Sequence, residues 1–76
     1  MNDYVYYEVK RIIITELGRT LLDTDTITRA QFKDNYDYLI SKGFQEKHPW
    51  YGDTDLFLTD DDGILVVSFT KCLKTM

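Results

Sequence analysis

The chain has 76 residues, 43% hydrophobic and 29% charged, with a formal net charge of −4, one Pro, four Gly and one Cys. This is the length of a single domain, 1–76, and the composition is not that of a disordered protein. The lone Cys72 excludes an intramolecular disulfide and a cysteine-based zinc site, and apolar runs as short as 12–14 and 64–67 exclude a membrane-spanning helix.

The first element expected is a helix over about 3–22. Val5, Val9, Ile13, Leu17 and Leu21 recur at every fourth position, an amphipathic pattern that Asn2 or Asp3 would cap and Gly18 would end or kink. The competing reading is a strand, because 12–15 is a β-branched run and Tyr4, Tyr6 and Tyr7 suit strands. Residues 23–26, alternating Asp and Thr, read as a polar linker. The opening MNDYVYYEVKR has no apolar signal-peptide region, so a cytoplasmic protein without a membrane partner is expected.

A second helix is predicted over 29–42. Thr28 with Gln31 makes a capping box, and Ile27 and Phe32 stand at the positions of a hydrophobic staple. Gly43 provides the left-handed residue that ends the helix, with Phe44 folding back onto Leu39. The apolar stripe is Phe32, Tyr36, Leu39 and Ile40, which leaves Tyr38 off it.

Beyond Gly43 the pattern turns to strands, at 44–47, 55–59 and 64–70, with 48–52 as a loop and Asp60, Asp61, Asp62 and Gly63 as a hairpin turn. Strand 64–70 is apolar on both faces, which predicts cover on two sides, one from the helices and one from a second subunit; a homodimer is therefore expected. The fold class predicted is α+β: two helices, 3–22 and 29–42, packed on a C-terminal antiparallel hairpin or three-stranded sheet.

The segment LISKGFQEKHPWYGDTDLFLTDDDG, 39–63, resembles the helix-plus-wing part of winged-helix proteins of the multiple-antibiotic-resistance-regulator type, through Leu39, Gly43, Phe44, Leu58, Thr59 and Gly63. The resemblance implies a winged-helix-like topology and a dimeric DNA-binding regulator, with Arg29, Lys33 and Asn35 towards DNA. The wing, however, carries aspartates where such a wing has lysine or arginine.

Charge is the strongest functional signal. Residues 1–50 hold seven basic and eight acidic groups, whereas 51–70 hold five Asp and no basic residue. Such a surface repels phosphate and attracts a basic protein surface. The candidate partner-binding residues are Asp53, Asp55, Asp60, Asp61 and Asp62, with Trp50 and Tyr51 as aromatic anchors. Tyr38 either joins that aromatic patch or packs under the 48–52 loop. Neither a catalytic residue nor a cofactor is expected: His48 stands alone in a loop, and the Asp spacing does not match a calcium-binding loop. The reading is a non-catalytic protein-binding regulator or inhibitor, in its strongest form a nucleic-acid mimic of phage or mobile-element origin. The alternative is the winged-helix DNA-binding regulator.

Overall fold

The every-fourth-residue recurrence in the first segment is also a strand pattern, because every fourth residue of a strand lies on the same face. The computed structural model, which describes residues 3–47 and 50–75, resolves the ambiguity in favour of strands. The expected cap at Asn2 and the loop positions His48 and Pro49 lie outside the described residues. The predicted helix over 3–22 is replaced by strand β1 (Asp3–Thr15), a turn, and the first part of strand β2 (Gly18–Thr28). The β-branched run and the tyrosines decide it, and Gly18, at φ 120°, makes the reversal. Leu17 and Leu21 do not extend a core stripe: they are 100% and 54% exposed. The expected linker 23–26 is also strand, and its alternating Asp and Thr belong to an exposed sheet edge.

Helix α1 (Arg29–Ser41) is the one helix among the described residues, followed by β3 (Gln45–Lys47), β4 (Thr54–Asp60) and β5 (Gly63–Thr75). The five strands form one antiparallel sheet in the order β2-β1-β5-β4-β3. The expected architecture of two helices on a hairpin, and with it a winged-helix-like topology, is thus corrected to a mostly β sheet carrying one helix. Between Arg11 and Ile12 the β1–β2 register shifts, Arg11 pairing with Asp23 and Ile12 with Leu21, so that Leu22 is passed over as a β-bulge.

The ends of α1 follow their local chemistry. The amide of Gln31 donates to Thr28 Oγ1 at 3.1 Å, and the amide of Thr28 donates to Gln31 Oε1 at 2.9 Å. At the other end, Phe44 N–H donates to the Leu39 carbonyl at 3.1 Å and Gly43 N–H to that of Ile40 at 3.0 Å, with Gly43 at φ 96°. This is the Schellman ending, and it delivers Phe44 into the core.

Strand alternation gives the sheet two different faces. On one, Val9, Ile27, Leu56, Val67 and Phe69 are buried together with Phe44, and α1 lies over them through Phe32, Tyr36 and Leu39. Phe32 stacks on Tyr7 at 4.0 Å and meets Phe69 edge-on at 5.0 Å. On the opposite face, Ile12, Asp55, Val66 and Ser68 are buried although no helix covers them.

Candidate functional site

The second face is covered by the loop running into β4. Gly52 lies flat against β5: a Cβ there would stand 2.6 Å from Ser68 Oγ, 2.6 Å from Thr70 Oγ1 and 2.9 Å from the Phe69 carbonyl oxygen. Only glycine approaches a strand so closely. The loop thus lies against the second face of β5 at residues 68–70.

One carboxylate holds this loop. Asp55 points from β4 into the second face and is 0% exposed. It accepts from the backbone amides of Trp50 at 2.6 Å, Tyr51 at 2.9 Å and Gly52 at 3.0 and 3.2 Å. Three converging N–H dipoles compensate the buried group, as they do in anion-binding nests. Asp53 works nearby by a related device, its Oδ2 accepting from Lys71 N–H at 2.8 Å alongside β5, beyond the end of the β4 ladder. Asp60 caps its own turn, its Oδ1 accepting from the amides of Asp62 at 2.8 Å and Gly63 at 3.1 Å. Three of the five candidate aspartates therefore organise the backbone. Asp61 and Asp62 are exposed, and their carboxylates make no hydrogen bond or ion pair among the described residues.

The aromatic candidates divide between the two faces. Trp50 and Tyr51, both half-buried, stack on each other at 5.0 Å. Trp50 meets Phe57 edge-on at 6.1 Å and lies under Lys47 Nζ at 4.3 Å, while the Arg19 guanidinium stands 5.7 Å from the Tyr51 ring. Tyr38 is on α1, across the sheet from them, 60% exposed and with Lys42 Nζ 5.4 Å from its ring. It neither joins the Trp50–Tyr51 pair nor packs under their loop. The residues considered for DNA are likewise split: Arg29 and Lys33 flank a shallow depression beside Tyr7 and Phe32, whereas Asn35 faces another hollow with Val9 and Arg11.

The acidic turn has a neighbour that the sequence does not announce. Ile14 pairs with Ile64, and a Cβ on Gly63 would stand 2.2 Å from the Ile14 carbonyl oxygen. The β1–β2 and β4–β5 turns therefore share one end of the sheet. That end carries Glu16, Asp60, Asp61 and Asp62, all exposed, and the fully exposed Leu17. Among the described residues, no three His, Cys, Asp or Glu side chains are placed to hold a metal ion, and no helix is long and apolar enough to cross a membrane. No protein family, curated protein or solved structure matches the sequence.

Proposed function

We propose that this protein is a non-catalytic protein-binding regulator or inhibitor that meets a basic surface of its partner with the acidic end of its sheet. The observation that carries the reading is that the two turns share one end of the sheet, which places Glu16 and the exposed Leu17 at the same end as aspartates 60–62. Carboxylates steer encounter with a basic partner, and a protruding apolar side chain at the same end gives the contact a point to desolvate. In this reading Leu17 takes over the anchoring role expected of Trp50 and Tyr51, whose rings are occupied with Phe57, Lys47 and Arg19. Nucleic-acid mimicry remains its strongest form, carboxylates standing where a basic groove expects phosphates.

The test compares the native protein with the variant E16Q/D61N/D62N, each immobilised and exposed to an extract of the source organism at low and raised salt. The native protein is expected to retain a partner that the variant does not, and raised salt is expected to release it. Retention that is indifferent to the substitutions and to salt would overturn the reading, as would tight binding of the native protein to free DNA at physiological salt.

A further inference from the structure

Basic side chains gather at the end of the sheet opposite the two acidic turns. Tyr4 pairs with Lys74, Tyr7 with Lys71, and Tyr6 with Thr28, the residue before α1. Arg29 and Lys33, at the start of α1, therefore share an end with Lys71 and Lys74, and all four are exposed. None of the four forms an ion pair among the described residues. The first turn of α1 holds Arg29 and no acidic residue, so the positive end of the helix adds to its charge instead of balancing it. Arg29 and Lys33 flank the depression lined by Tyr7, Ala30 and Phe32. Its floor is within reach of a partner: Ala30 is exposed, Tyr7 and Phe32 are half-buried, and their rings stack at 4.0 Å. An apolar seat between cations is the inverse of the other end, where the fully exposed Leu17 stands with Glu16, Asp60, Asp61 and Asp62.

We infer that the acidic end of one molecule docks on the basic end of a second copy, head to tail. Leu17 seats on Tyr7, Ala30 and Phe32, while the carboxylates beside it face Arg29 and Lys33. A molecule cannot make this contact with itself. Tyr7 and Ile14, the latter at the acidic end, are about seven residues apart on β1, or about 23 Å. Strands β1 and β5 each run for 13 residues and set the two charges at opposite poles of a molecule 48 Å long. The two patches differ, so each copy offers both and the contact propagates as a chain or closes as a ring. The inference rests on the reading of the acidic end as a docking surface. A second copy competes for that end with the foreign partner, so self-association masks it until a more strongly basic surface displaces the copy.

Sedimentation velocity of the full chain, from about 10 μM to about 1 mM at low and raised salt, tests this. A small contact led by charge is weak, so the native protein is expected to associate at about 0.1 mM in low salt. Raised salt should return it to the 9.0 kDa species. R29Q/K33Q disables the basic end, E16Q/D61N/D62N disables the acidic end, and L17S removes the apolar knob alone. Each is expected to weaken association by about tenfold or more. An equimolar mixture of R29Q/K33Q and E16Q/D61N/D62N is expected to associate again, but only as one-to-one pairs, since each variant keeps the end that the other lacks. The inference is overturned if the native protein stays at 9.0 kDa throughout, if R29Q/K33Q or L17S, melting like the native protein, associates unchanged, or if the mixture does not pair. The foreign partner is judged separately: immobilised R29Q/K33Q keeps its acidic end and should still retain that partner from the extract, whether or not copies associate.

Discussion

The two faces of the sheet are covered by opposite means. One face receives a 13-residue helix with a capping box, a Schellman ending and a stripe of aromatic and aliphatic contacts. The other receives a few residues of irregular backbone held by a single buried carboxylate. The helix distributes its hold over many small terms, so no one residue decides it. The loop concentrates its hold on Asp55, with Asp53 tying its end to β5, and on the absence of a side chain at Gly52.

The sharpest way to break that contrast is Asp55→Ala. It leaves three part-buried amides without their carboxylate acceptor, at about 1 kcal/mol or more each, so a loss of about 3 kcal/mol is expected. In a domain of this length that lowers the melting midpoint by about 12 °C or more. A melt followed by circular dichroism checks it, and an unchanged midpoint would mean that the loop is not held by Asp55. Gly52→Ala comes next, at about 1–3 kcal/mol, because the new methyl overlaps Ser68 and Thr70; the same substitution should alter Trp50 fluorescence by lifting the loop.

On the helix face the expected effects are smaller. Thr28→Ala removes one cap oxygen and should cost about 0.5–2 kcal/mol, read as a shift in urea midpoint without a change in slope. Tyr36 supplies a pH test. Its hydroxyl donates to Glu46, joining α1 to β3, and this bond, followed by desolvation and the charges of Glu46 and Asp37, raises its pKa above the ordinary tyrosine value. The fold thus favours the neutral phenol. Its stabilising contribution is complete below about pH 10 and is lost as pH rises through the raised value. Tyr36→Phe is expected to lower stability slightly at neutral pH and to flatten the decline above pH 10 in urea titrations at stepped pH. Smallest of all, E16Q/D61N/D62N should leave stability within about 0.5 kcal/mol of the native protein, since these carboxylates hold no described group. A larger loss would make the acidic end a part of the scaffold.

The same contrast explains which parts of the fold are legible in the residues alone. The signals of α1 are local, and its cap, stop and stripe lie within 27–44, so sequence specifies them. The β4–β5 hairpin is legible for the same reason, through Gly63 and the strand periodicity around it. The first segment misleads because a four-residue recurrence fits both a helix face and a strand face; only the β-branched run and the tyrosines separate the two. β2 is hidden because an edge strand with little burial has no apolar alternation to display. At the candidate site, the exposure of Asp60, Asp61 and Asp62 follows from their turn. The roles of Asp55 and Gly52 depend on contacts with a loop that nothing local predicts. The one available hint is aspartate inside a strand among apolar neighbours, where it is normally depleted. The partnership of Glu16 with the aspartate turn arises from pairing between β1 and β5, which are far apart in sequence.

The bulge at Leu22 has a consequence for how molecules of this protein behave at high concentration. β2 forms an outer rim of 11 residues, with unpaired backbone groups along its free side. A straight rim of that length would recruit the same rim of another molecule and begin a growing ribbon. The extra residue interrupts the pleat part-way along, and Asp23 and Asp25 add negative charge beside it. Two approaching rims therefore meet out of phase and with like charges facing, so the longest open edge of the protein also resists stacking into fibres.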